Sequence, residues 1–426
     1  VAEAACMDGS RPAFYLRPGV GEGASKWLVF LEAGFACSDK ASCDARPPRY
    51  KGSGGYGEEL HLGGIFDANA EANPQFWDWS FAYVRYCSSD SWVGDRDAAS
   101  EETFGYLFQG RRIVRGVLEQ LQREHGLARA SLLLLGGCSA GGRGSWYNLD
   151  DACGALRNAS TTCRGFHDAA WWVELPVRGG NPLLRTANRG VPLWNASSML
   201  AGRCVPEHPR RPGECLFGPT AQRYVRTPYL LHGEQYDTFQ MSQYGAGAAL
   251  DELRAAVAVS ARSVRPPSAV FAPGCATHCI ADGEGFRGIA VGGVSLADAL
   301  HRWLTGELGD TWRIAAAAGD TQCGALGPRT AALSWYAEHH ELPLALAAAA
   351  AATSVAWTVV ALVVWRSARL SAEGEYRKLR RDPAGDPAEL HDAAGEQGGV
   401  VLGSPSSPLG GGRGATSSGP SAPTAA

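Results

Sequence analysis

The residues Gly137-Cys138-Ser139-Ala140-Gly141 set a serine between small neighbours, directly after the apolar run Ser131-Leu132-Leu133-Leu134-Leu135. A G-x-S-x-G match alone is a weak signal, because the chain holds 54 glycines and a glycine-rich connecting loop would look the same. The context is what nucleophilic chemistry needs. A hydrophobic strand comes before the serine and helix-compatible sequence follows it. On a sharp strand-to-helix turn the neighbours at −2 and +2 must be small, and the amide after the serine faces the oxyanion that forms during acyl transfer. The pattern therefore nominates Ser139 as a nucleophile and the Ala140 amide as an oxyanion donor.

A serine of this kind needs a base and an acid, which follow it in the order acid, then histidine. His61 and His125 precede the serine, and His339, His340 and His391 lie near the C-terminal end of the chain. His301 falls in a helical pattern, and His167 and His208 follow no recognisable strand. His232 ends a strand but comes before the best acid. That acid is Asp237, in Tyr236-Asp237-Thr238-Phe239-Gln240, just past the apolar run at 229–231. His278 lies after the run at 270–272, inside Cys275-Ala276-Thr277-His278-Cys279. Ser139, Asp237 and His278 thus have the right order, each after a strand. His278 would take the serine proton, and Asp237 would fix its tautomer and stabilise the imidazolium.

These residues must be positioned by a scaffold. Strands are predicted at 26–31, 81–86, 131–135, 227–233 and 268–272. An amphipathic helix is predicted at 110–124, where Ile113, Val114, Val117, Leu118 and Leu121 recur at helical spacing. Strand, helix, strand in this order predicts an α/β class with a mostly parallel sheet covered by helices. Active sites in such sheets lie in loops at the carboxyl ends of strands, which is where all three candidates fall.

Composition and compartment agree with a folded, secretory chain. It is 45% hydrophobic and 19% charged, with a formal net charge of −4, so nothing points to nucleic acid as a partner. All 12 cysteines lie between Cys6 and Cys323, and none shows the paired spacing of a structural zinc site. The sequons at Asn158 and Asn195 fall in the same region and mark glycosylation candidates. The stretch 342–365 holds no charged residue over 24 positions. As a helix it would be about 36 Å long, enough to cross a bilayer. Glu338 and Glu341 precede it, and Arg366, Arg369, Arg377, Lys378, Arg380 and Arg381 follow it, which orients the C-terminus to the cytoplasm. The expected organisation is an extracellular or lumenal α/β domain at 1–330, a linker at 331–341, a transmembrane helix at 342–365 and a disordered cytoplasmic tail at 366–426. The chain starts at Val1 without a basic or apolar leader, as expected after signal-peptide removal.

At this point a resemblance enters. The blocks around Ser139, Asp237 and His278 resemble the catalytic motifs of the pectin acetylesterase/Notum carboxylesterase family. Further blocks agree in order: Cys6-Met7-Asp8-Gly9-Ser10, Leu31-Glu32-Ala33-Gly34-Phe35-Ala36-Cys37, and Tyr86-Cys87-Ser88-Ser89-Asp90-Ser91-Trp92-Val93-Gly94. The Ser88–Trp92 block, Asn73-Pro74 with Phe76-Trp77, and Asn148-Leu149-Asp150 look closer to Notum-like members. The resemblance implies an α/β-hydrolase fold, the same triad, and no metal or organic cofactor. It implies bridges Cys6–Cys87 and Cys37–Cys43; a Cys275–Cys279 bridge is suggested only by the short loop around His278. It also makes Gly34 and Phe35 oxyanion candidates. Ala33 departs from the family's first glycine in this turn, and Phe35 replaces a tryptophan.

The expected activity is serine carboxylester hydrolysis. Within it, Notum-like motifs imply removal of a palmitoleoyl-type lipid from a secreted protein, and the wider family implies deacetylation of a polysaccharide such as pectin. The alternative of another class is an inactive membrane receptor or scaffold on the same fold. A membrane span with a tail would suit it, and the intact Ser139, Asp237 and His278 argue against it.

Overall fold

The computed structural model describes residues 4–177, 180–244, 249–309, 312–317 and 321–323. The expected linker, membrane helix and tail lie outside these residues. Among the described residues, no helix is long and apolar enough to cross a membrane.

The predicted strand at 26–31 is β2 (Lys26–Leu31), preceded by β1 (Phe14–Arg17) and followed by β3 (Ser80–Val84). Next come β4 (Leu132–Cys138), β5 (Thr162–Asp168), β6 (Tyr229–His232) and β7 (Ala269–Ala272). The short strands β8 (Ala290–Val291), β9 (Val294–Ser295), β10 (Arg313–Ala315) and β11 (Thr321–Gln322) close the series. Eight of these form one sheet in the order β1-β3-β2-β4-β5-β6-β7-β10, parallel throughout except that β1 runs against β3. The remaining strands β11, β8 and β9 make a small separate sheet.

Alternation along β2 explains the two-sided core. Trp27, Val29 and Leu31 face one apolar layer, and Leu28 and Phe30 face the other. Both sets are buried, as a parallel sheet covered on both faces requires. Helix α1 (Lys40–Asp44) is capped by Asp39, whose carboxylate accepts from the Ser42 amide at 2.8 Å. Helix α2 (Gly110–Glu124) has the predicted bounds and buries Ile113, Val114, Val117, Leu118 and Leu121. Helix α3 (Ala140–Tyr147) leaves β4 directly and is buried along its whole length. On the opposite face, the helix Leu296–Thr305 packs Leu296, Ala297, Ala299 and Leu300 against the sheet.

The chain crosses from one side of β2 to the other between β3 and β4, so the strand order reverses at the β2–β4 pair. In open α/β sheets such a switch point leaves a crevice at the carboxyl ends of the strands. Here the switch point falls between the turn after Leu31 and the turn after Cys138.

All twelve cysteines are bridged: Cys6–Cys87, Cys37–Cys43, Cys138–Cys279, Cys153–Cys163, Cys204–Cys215 and Cys275–Cys323. The first two are as expected. The suggested Cys275–Cys279 bridge is wrong. Cys275 leaves β7 on the side of the small sheet, where the neighbouring Gly274 amide bonds the Thr321 hydroxyl at 2.9 Å, and it joins Cys323. Cys279 turns the other way and joins Cys138. Closeness in sequence did not bring the two sulfurs face to face.

Candidate active site

Ser139 sits at the junction of β4 and α3 with φ 56° and ψ −116°, a conformation that L-residues rarely hold. Its flanking glycines show why the turn forms only with this sequence. A Cβ on Gly137 would lie 2.4 Å from the Gly141 carbonyl, and one on Gly141 would lie 1.8 Å from the Leu31 oxygen. The amide of Ser139 donates to the Asp168 carbonyl at 2.9 Å, which fastens the turn to the end of β5. The Ala140 amide belongs to the first turn of α3, so it has no carbonyl partner within the helix.

The turn after β2 stands alongside, because Leu31 is paired in register with Gly137. Gly34 has φ 155°, and a Cβ there would meet Tyr86 at 2.6 Å and Tyr50 at 2.7 Å. Phe35 takes φ 55°, and its carbonyl accepts from the buried Tyr86 hydroxyl at 2.7 Å. The Arg46 guanidinium donates to the Gly34 carbonyl. Ala33 does not have positive φ, so the replacement of the family's glycine there leaves the turn intact.

Asp237 and His278 come together as predicted: His278 Nδ1 lies 2.9 Å from Asp237 Oδ1. The loops carrying them are joined by the Thr238 amide, which donates to the Thr277 carbonyl at 3.0 Å. Burial alone would raise the Asp237 pKa. The His278 ring and hydrogen bonds from Gln240 outweigh it and hold the carboxyl below its ordinary value, so it is ionised at neutral pH. Gln240 is itself tied down, donating to the Trp171 carbonyl at 3.0 Å and accepting from the Val173 amide at 3.0 Å. The second ring nitrogen, Nε2 of His278, is buried and has no hydrogen-bond partner. A ring nitrogen of His278 lies within 4.8 Å of the sulfurs of Cys138 and Cys279, which puts the ring beside the turn that carries Ser139. Those three residues form the one grouping among the described residues close enough to hold a cation. With the two sulfurs joined to each other, neither is a thiolate ligand.

An aromatic wall adjoins these groups. Phe239 lies 5.3 Å from the His278 ring, 5.1 Å from Phe35 and 6.1 Å from Trp172, ring to ring. The Arg143 guanidinium lies over the face of Trp172, 3.7 Å from the indole centroid.

The other histidines do different work. His167 is buried against the Ser145 hydroxyl at 2.8 Å, and burial lowers its pKa to about 3, so it is neutral. His301 stays on the helix Leu296–Thr305, its ring edge-on to Phe76 at 6.5 Å. His232 is buried between Asp168 Oδ1 at 2.6 Å and Glu234 Oε1 at 2.9 Å. Asp168 also accepts from the Ile280 and Ala281 amides at 3.1 and 2.8 Å, so it supports the loop that holds His278. The sequence contains no motif for this role, because β5 itself is not recognisable there. Of the two sequons, Asn195 is exposed with φ 55°, and Asn158 is half-buried with its carbonyl oxygen turned back on Ser160 at 2.7 Å.

The sequence profile of the pectinacetylesterase family matches residues 1–256, well over half of the chain. The chain belongs to this family. Among its relatives is the palmitoleoyl-protein carboxylesterase NOTUM of Schmidtea mediterranea, 29% identical over 71% of this chain and 61% of its own length. The chain therefore spans less than two thirds of that relative. Pectin acetylesterase 7 of Arabidopsis thaliana is 27% identical over 71% of this chain and 85% of its own length. The solved structure of the Wnt deacylase Notum from Drosophila superposes with a TM-score of 0.68 at 30% identity, over 76% of this chain and 96% of that one. The family fold is thus α/β-hydrolase-like, with the mostly parallel sheet expected from the sequence.

Proposed function

We propose that this chain is a serine carboxylesterase in which Ser139, His278 and Asp237 act as one unit. The observation that carries the reading is the His278 ring, held at Nδ1 by an ionised Asp237, with Nε2 unpartnered beside the strained turn of Ser139. In the first half-reaction, Ser139 Oγ attacks the acyl carbonyl carbon and His278 Nε2 takes its proton. The alcohol leaves with that proton and the acyl group stays on Ser139. In the second, His278 takes a proton from water, the hydroxide attacks the acyl-enzyme, and the acid departs as Ser139 is reprotonated. Oxyanion charge would meet the amides of Ala140 and of the Gly34–Phe35 turn.

The relatives bracket the acyl group between a palmitoleoyl chain on a protein and an acetyl group on a polysaccharide. The aromatic wall of Phe35, Trp172 and Phe239 is the surface such a group would meet. The charge on Arg143, which lies over the Trp172 face, weighs against a long hydrocarbon and for a small or polar acyl group. We further propose an oxidising, extracytoplasmic compartment, which the six disulfides support, with the chain anchored through 342–365.

Incubating the purified full-length chain with p-nitrophenyl acetate and octanoate tests the esterase reading. Hydrolysis that falls by about three orders of magnitude or more in Ser139→Ala is expected. Turnover of neither ester, or a tenth of the rate surviving in the variant, would sink it.

A further inference from the structure

We infer that Arg143 is a specificity-determining residue that selects an ester whose acyl group ends in a carboxylate. The inference rests on the esterase reading above and names the substrate class of that site.

Arg143 is the one buried arginine among the described residues, with no measurable exposure. Its three guanidinium nitrogens have no hydrogen-bond partner. Three partly buried arginines elsewhere are paired: Arg85 with Glu32 at 3.0 Å, Arg111 with Asp151 at 2.6 Å, and Arg112 with Asp95 at 2.6 Å. A buried charge without an acceptor is costly, so a stable protein retains one where something else completes it. Trp172 covers one face of the guanidinium, which answers its charge in part. A face contact leaves the in-plane N–H donors unused, and those are the groups that bind a carboxylate side by side.

The position is equally specific. Arg143 lies in the first turn of α3, and its amide donates to the carbonyl of Ser139, the residue that precedes the helix, at 2.9 Å. The indole beneath the guanidinium belongs to the wall that runs through Phe239 to His278. Burial lowers the Arg143 pKa to about 10, with Tyr147, Tyr86 and Asp237 opposing that fall, so the group is still a cation at neutral pH. Asp237, the one carboxylate among these, is committed to His278 and Gln240. An alkyl chain brought to these buried donors offers them no acceptor. A terminal carboxylate would satisfy them, and hydrolysis would then release a dicarboxylic acid and the alcohol.

The test pairs two esters of equal length, the p-nitrophenyl monoesters of hexanoic and adipic acid, on the full-length chain. We expect kcat/KM for the adipate ester to exceed that for the hexanoate ester by about tenfold or more. Arg143→Gln should bring the ratio to about one or below, and Arg143→Lys should restore part of it, because the charge returns without the fork. A general loss of fold or of catalysis lowers both esters together and does not move the ratio. Binding of free adipate and hexanoate to Ser139→Ala gives a readout that needs no turnover. Adipate bound in preference to hexanoate, with no ester hydrolysed by wild type, would uphold Arg143 and reject the esterase. Turnover of p-nitrophenyl acetate with no preference between the paired esters would do the reverse. A preference that survives Arg143→Gln also overturns the inference.

Discussion

The carbonyl of Asp168 accepts a hydrogen bond from the amide of Ser139 at 2.9 Å. The side chain of the same aspartate accepts from the Ile280 and Ala281 amides, two and three positions past His278. One residue at the end of β5 thus sets both the serine turn and the histidine loop. Asp168→Ala should destabilise the protein by about 3 kcal/mol, because it leaves two amides without their acceptor and the His232 charge with Glu234 alone. It should lower esterase activity as well. Thermal melting and p-nitrophenyl acetate hydrolysis measure the two effects, and an unchanged melting temperature with full activity would reject the role.

His278→Ala should lose activity about as severely as Ser139→Ala, by about three orders of magnitude or more, since members of a triad act together. His301→Ala should keep most of its rate, because its ring meets Phe76 and the Asp237 carboxylate is engaged by His278 instead. A folded His278→Ala chain hydrolysing p-nitrophenyl acetate at near wild-type rate would falsify the triad.

Cys138–Cys279 joins the residue before Ser139 to the residue after His278. Peptide mapping without reduction should recover this pair and Cys275–Cys323. Replacing both Cys138 and Cys279 by serine should lower stability by about 2–5 kcal/mol, with a loss of activity larger than in a double Cys204→Ser/Cys215→Ser variant. Recovery of a Cys275–Cys279 peptide would contradict the arrangement.

His232 links stability to pH. Burial works against its charge, but Glu234 and Asp168 outweigh burial and raise its pKa from 6.5 to about 10. The raised value means that the folded chain binds a proton which the unfolded chain releases. The stabilisation is complete below about 6.5 and is lost as pH rises towards about 10. Denaturant melts from pH 6 to about 10 should therefore show falling stability, with a shallower slope in His232→Gln. Stability that rises across this range would exclude the charged His232.

Much of this architecture is legible in the residues. The helix at 110–124 and the strand at 26–31 carry strong periodic or continuous apolar patterns, and both have the predicted bounds. β5 is different: Thr162-Cys163-Arg164-Gly165-Phe166-His167-Asp168 has one large apolar side chain, and it becomes a strand through pairing with β4 and β6. With β5 hidden, Asp168 carried no signal. β1 and β10 are short edge strands, defined by the neighbours they meet rather than by their own pattern. Ser139, Asp237 and His278 could be named because each follows a visible strand. Arg143 could not, since a charge four residues past a serine reads as a solvated helix face until the burial of α3 is known.

The bridges have a consequence for how the chain matures. Cys6 and Cys37 are neighbours in the series of cysteines, yet Cys6 belongs to Cys87, and the Cys37–Cys43 loop lies wholly inside that interval. Cys138 in turn waits for Cys279 across 141 positions, while Cys153–Cys163 and Cys204–Cys215 close within them, and Cys275–Cys323 interlocks with that long loop. Pairing of neighbours in sequence therefore gives wrong isomers, Cys6–Cys37 among them. Maturation needs thiol–disulfide exchange as well as oxidation. Refolding of the reduced chain should yield far more active protein in a glutathione redox mixture with a disulfide isomerase than in air alone, and equal yields would show that the native set forms without reshuffling.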